Sequence, residues 1–186
     1  TVRGGQGALS AFFPQLERLP PLEGRIRSYQ GLTVAPSALQ DQVKIALAAF
    51  GAGLAVSADL HLNGFDTHAD HEAVHYPMLA HLFDVIAHLF EYADRLGLRE
   101  RLNVVVGSDF GRTAGLNPGG GKDHHPIGSY LFMGPAFEAA RASGAVLGRT
   151  RAASPGVRAL GLDPSSLESM ETGGVVVTPA HVHAAL

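Results

Sequence analysis

Apolar positions along the chain fall into alternating helical and extended periods. After Pro36-Ser37, residues Leu39, Val43, Ala46, Leu47 and Phe50 recur at three- and four-residue steps, and Gly51 and Gly53 close the run. This predicts a helix packed along one face. Residues 54–62 (LAVSADLHL) alternate apolar and polar side chains in their second half. That is the mark of a strand delivering Asn63, Gly64, Phe65 and Asp66 to a loop at its end. From about Glu72 to Leu96 a wide stripe including Val74, Met78, Leu82, Val85 and Leu89 predicts a long helix, stopped by Gly97. The nearly continuous β-branched run at 102–106 reads as a strand buried on both faces, as in a parallel sheet. Residues 129–134 read as another strand, and 145–148 as a short hairpin arm.

The flanks are less periodic. Residues 1–36 carry glycine, proline and scattered charge, and read as a loop-rich leading segment with one short helix over 8–18. Residues 149–172 form a polar tail with at most short helices, Val175 to Val177 follow, and Thr178-Pro179 opens a terminal helix as N-cap and first-turn proline. Alternating helices and strands predict one layered α/β domain with a mostly parallel sheet across residues 1–186, its core at 37–148 and its tail at 149–186. Ligands in such sheets gather at the carboxyl ends of the strands. Both ends of the chain look cut rather than finished, so it is read as part of a longer protein.

Composition narrows the partners. The chain has 186 residues, of which 46% are hydrophobic and 17% charged, with a formal net charge of −3. That size and apolar share suit one domain with its own core. No basic field is present to hold nucleic acid or an anionic membrane. There is no apolar run long enough to span a bilayer, and no signal-peptide pattern at the start. With no cysteine in the chain, a metal must be held by carboxylate oxygen and imidazole nitrogen.

Ten histidines are present, and six fall between His61 and His88. Asp66, His68, Asp70 and His71 lie within six positions, just past the expected strand at 54–62. A loop of this kind can converge several ligands on one cation, while the plain alternative is that Asp66 or Asp70 caps the following helix. His75 shares the helical face of His71 and is a further candidate, whereas His81 and His88 are read as surface or interface residues. Asp109 follows the most buried-looking strand, where a carboxylate is costly unless paired or metal-bound. Arg112 suits either a carboxylate partner or a phosphate or sulfate oxygen. The run Gly119, Gly120, Gly121, Lys122 reads as a mobile lid or a connector, and it lacks the strand and GK[ST] ending of a phosphate loop. Asp123, His124 and His125 then supply a third Asp/His group. His181 and His183 sit in the terminal helix with no assigned role.

The order GFDTH, SDFGRT, KDHHP, a strand ending in MGP and a GAVLGR segment resembles the C-terminal half of the bacterial DUF1501 family. That family looks like a branch of the alkaline phosphatase and sulfatase superfamily, and the resemblance runs from about Leu39 to the end. It implies an alkaline-phosphatase-like α/β/α architecture, incomplete in this chain, and a divalent metal centre acting on a small phosphate or sulfate ester. Zinc or manganese is expected ahead of magnesium or calcium. By resemblance, Asp66 with His71 or His68 matches the Asp-then-His pair of one metal, Asp109 the acid binding a second, and His124 the later histidine returning to the first. Phe110 stands where catalytic members carry histidine, and the superfamily's early nucleophile strand has no counterpart here. Two readings follow: the metal-binding domain of an ester hydrolase, or a degenerate, non-catalytic member acting as a binding or assembly module. The resemblance suggests a periplasmic or secreted protein, and the sequence does not give the oligomeric state.

Overall fold

The computed structural model describes residues 3–19, 27–29, 32–34, 38–138, 144–153 and 156–185. The chain divides into two compact units, Thr1–Asn103 with Asn117–Gly121, and Val104–Leu116 with Lys122–Leu186.

The first unit is helical. It contains α1 (Arg3–Glu17), the strands β1 (Arg27–Tyr29) and β2 (Leu32–Val34), α2 (Ala38–Gly51) and α3 (His71–Arg95). Its core joins Leu39, Val43 and Leu47 of α2 with Val85, Leu89 and Tyr92 of α3, all buried. Burial of these apolar side chains supplies the main drive to fold this unit. Both long helices end as their glycines predict. Gly97 takes φ 67°, its N–H donates to the Asp94 carbonyl, and Leu98 N–H returns to the Ala93 carbonyl. Gly53 takes φ 69°, and Leu54 N–H returns to the Ala49 carbonyl. Glycine adopts this left-handed conformation without a Cβ penalty, so the orphan carbonyls of the last turn are satisfied. A further partner is the Arg18 guanidinium, which donates to the Arg95 carbonyl at 3.0 Å.

The second unit consists of short strand pairs: β3 (Val104–Val106) with β6 (Leu131–Met133), β4 (Gly111–Arg112) with β5 (His124–His125), β7 (Thr150–Ala152) with β8 (Val157–Ala159), and β9 (Gly161–Leu162) with β10 (Ser169–Met170). The short helices α4 (Pro135–Glu138) and α5 (Pro179–Ala185) complete it. The terminal helix starts at Pro179, where Thr178-Pro179 predicts. His181 Nδ1 accepts from the Thr178 main-chain N–H at 3.1 Å, which ties the helix start.

These pairings overturn the layered α/β/α expectation with a mostly parallel sheet. Every strand pair among the described residues is antiparallel, and each sheet has two strands. Two physical reasons account for the difference. A parallel pair needs a crossover of a dozen residues or more, usually helical, but residues 107–130 join β3 to β6 through loops and short strands without a helix, so the chain returns antiparallel. The segment 54–62 forms no strand at all. Its backbone at His61 is served by a side chain: Gln42 Oε1 accepts from the His61 N–H at 2.8 Å, and Gln42 Nε2 donates to the His61 carbonyl at 3.1 Å. An amide side chain from α2 thus takes the place of a neighbouring strand. The β-branched run at 104–106 is half-buried rather than enclosed on both faces. The tail expected to hold only short helices carries β7 to β10, and the hairpin begins at Thr150 rather than within 145–148. Among the described residues, no helix is long and apolar enough to cross a membrane.

Candidate functional site

In the first unit the loop before α3 alternates its side chains. Thr67 is 4% exposed and His71 is buried, while Asp66 and His68 face outward with side chains 72% and 49% exposed. The inward pair is joined by a hydrogen bond of 2.6 Å between Thr67 Oγ1 and His71 Nδ1. The His71 ring also stacks on His75 at 4.3 Å, and His75 meets Phe65 edge-on at 5.3 Å. His71 and His75 are therefore packed into the start of α3, set apart from the outward pair. That pair is Asp66 Oδ1 and His68 Nδ1, 3.0 Å apart. At this separation a carboxylate oxygen and an imidazole nitrogen face each other closely enough for one small divalent cation to take both as ligands.

What holds the outward pair in place is a second loop of the same unit, 117–121. Asn117 Nδ2 donates to the His68 carbonyl at 3.0 Å, and Asn117 Oδ1 accepts from Gly119 and Gly121 N–H at 3.0 and 2.9 Å. Gly120 bridges to Ala69, and its carbonyl accepts from His71 N–H at 3.0 Å. At Gly121 a Cβ would overlap the main chain of His68, so only glycine permits this approach. Loop 117–121 also corrects the helix-cap expectation. Asp70 stands at the N-cap of α3 in a left-handed conformation, φ 47° and ψ 41°, with no side-chain cap bond. The orphan N–H groups there are met instead by carbonyls of the glycine run.

The family model for "Protein of unknown function (DUF1501)" matches residues 29–155, more than half of the chain. The chain belongs to the DUF1501 family. No curated protein and no solved structure matches it.

In the second unit of this DUF1501 chain, Asp109 lies just past β3 and is exposed, with Oδ1 accepting from Phe110 N–H at 3.2 Å. Exposure leaves Asp109 with no desolvation cost for a metal or partner to offset, contrary to the expectation from its place after a buried strand. Arg112 on β4 stands opposite His124 on β5, donates from Nη1 to the Lys122 carbonyl at 3.0 Å, and lies 5.7 Å over the Phe110 ring. Phe110 in turn packs against the His124 ring at 4.1 Å. Phe110 thus presents a hydrocarbon face to one side of the neighbouring histidine.

Asp66, His68 and His124 are each exposed and each offers one ligand atom of the kind a divalent cation takes. All three are among the candidates expected from the sequence, whereas Thr67 and Asn117 are not. Thr67 left no signal beyond its place between two polar neighbours. Asn117 precedes Pro118 and three glycines, which marks a turn but not its partner 49 residues away. His81, expected to be a surface or interface residue, is 8% exposed, and burial lowers its pKa from the ordinary histidine value, with Asp84 opposing the shift. It occupies a core position on α3 four residues before Val85, where a histidine substitutes for an apolar side chain.

Proposed function

We propose that this DUF1501 chain binds a divalent cation through Asp66 and His68, and that the cation serves chemistry on a small anionic ester. The observation that carries the reading is the outward Asp66–His68 pair, 3.0 Å apart on an anchored loop. The donors suit the group: imidazole nitrogen and carboxylate oxygen with no thiolate, a set that favours zinc or manganese over copper(I) or an iron–sulfur cluster. His71 and Asp109 are the further candidates the resemblance supplies. When bound, such a cation neutralises charge on phosphoryl or sulfuryl oxygens. The chain's own part is to hold the two donors side by side and open to solvent. Kinship with the alkaline phosphatase and sulfatase superfamily, and with it a periplasmic or secreted setting, belongs to this proposal and rests on the order of the motifs.

A non-catalytic binding module is the second reading, and one observation favours it: the Phe110 ring against His124 removes a nitrogen donor where catalytic members are expected to carry one. Metal analysis and zinc titration of the purified protein, alongside His68→Ala and Asp66→Asn, test the first claim. The expected outcome is one zinc ion bound by the wild type and affinity reduced tenfold or more in both variants. Turnover of an aryl phosphate or aryl sulfate with added zinc or manganese then separates the readings. Metal without turnover leaves the binding module, and equal zinc binding by wild type and both variants removes the site.

A further inference from the structure

We propose that Asn117 is a positioning residue for the metal site, acting through the main chain of His68; this rests on the cation-binding reading above. Three bonds from one carboxamide support it. Nδ2 donates to the His68 carbonyl at 3.0 Å, and Oδ1 accepts from both Gly119 and Gly121 N–H. The side chain therefore closes its own loop and, with the same group, anchors the loop that carries the donors. An aspartate in its place would retain the acceptor but present oxygen to the His68 carbonyl, replacing a donor with repulsion. The geometry around it leaves little slack. Gly121 lies so close to the His68 peptide that no Cβ fits between them, and the His71 N–H is held by the Gly120 carbonyl. His68 is thus fixed by its backbone from one side and by Asp66 at its ring.

A donor fixed before the cation arrives loses less freedom on binding, and partners one bond removed from a ligand typically change metal affinity about 10–100-fold. Asn117 touches neither cation nor substrate in this proposal. Its effect is to keep the Asp66–His68 pair in one geometry.

The test compares wild type, Asn117→Asp and His68→Ala by zinc titration, by the visible absorption of the cobalt(II) complex and by thermal melting. The expected result is that Asn117→Asp binds zinc about tenfold more weakly or worse, with a cobalt spectrum altered in intensity or position. A loss of melting temperature with zinc affinity and cobalt spectrum unchanged overturns the proposal and leaves Asn117 a structural residue. Weakened affinity with an unchanged spectrum overturns it as well. Should the wild type bind zinc no better than His68→Ala, the cation-binding reading itself fails, and the failure lies there rather than with Asn117. If Asn117→Asp does not fold, amide exchange in the wild type decides: zinc is expected to slow exchange at Gly119 and Gly121 N–H, and exchange unaffected by zinc overturns the proposal.

Discussion

The closest contact between the two loops of the first unit yields a sharp prediction. Gly121 has no positive φ, so alanine carries no backbone penalty of its own there. The obstacle is space, because the added methyl would fall on the carbonyl carbon and oxygen of His68 and on the Ala69 nitrogen. These are main-chain atoms, which cannot swing aside as a side-chain tip would. Ordinary van der Waals contact requires the loops to separate by more than an ångström, and overpacking of this kind costs about 1–3 kcal/mol. The displacement also stretches the bond from Asn117 to the His68 carbonyl, adding part of a hydrogen bond, about 1 kcal/mol. Gly121→Ala is therefore expected to destabilise the protein by about 2–4 kcal/mol in urea denaturation and to weaken zinc binding in the same preparation. Gly115→Ala is the matched control. Its φ is not positive and its Cβ would meet nothing within 4 Å, so stability is expected to hold or rise slightly. If Gly121→Ala matches its control in both stability and zinc affinity, the two loops do not press together as described.

Three further outcomes are expected. Thr67→Val removes the buried hydroxyl that bonds His71 Nδ1 and leaves a buried polar atom behind, at about 1–3 kcal/mol; a urea midpoint equal to wild type would show that this bond contributes nothing. Burial of His81 lowers its folded pKa, so below the ordinary histidine value the unfolded chain takes the proton first. Stability is then complete above that value and falls as pH drops through it toward the folded pKa, with Asp84 reducing the effect; His81→Gln should flatten the dependence of the urea midpoint between neutral and mildly acidic pH, and an unchanged slope refutes the assignment. At Asp70, glycine relieves the left-handed backbone but frees the unfolded chain, so Asp70→Gly should lie within about 1 kcal/mol of wild type. Asp70→Val, by contrast, should melt well below it, and equal melting of the two would mean the left-handed turn is not held.

The helices were legible because their signals are local. A 3.6-residue apolar period and a following glycine contain everything needed to start, face and stop α2 and α3, and both end on glycines with positive φ. Sheet structure is a matter of partners, and alternation along a strand says nothing about which chain lies beside it. The run at 104–106 did form a strand, but its partner arrives antiparallel through residues that no local pattern could order. The run at 54–62 has the alternation without the partner, because Gln42 supplies the hydrogen bonds at His61 that a strand would have made. His81 misled for a related reason. A polar residue on a helical stripe reads as surface until the packing around it is known.

The same distinction explains the candidate site. Residue types are local, so Asp66, His68, Asp109 and His124 stand out as candidates in the sequence, whereas orientation is not local. Within 66–71 the decisive feature is that Thr67 and His71 turn inward and bond each other, which leaves Asp66 and His68 to face out as a pair. An outward pair on a free loop would lose its geometry to chain entropy, at about 1–2 kcal/mol for each residue fixed. Here that ordering is done by a buried anchor on one side and by the Asn117 carboxamide on the other. A DUF1501 chain that kept its Asp and His residues but lost Thr67 or Asn117 would still read as a metal site in sequence, and would be expected to bind far more weakly in solution.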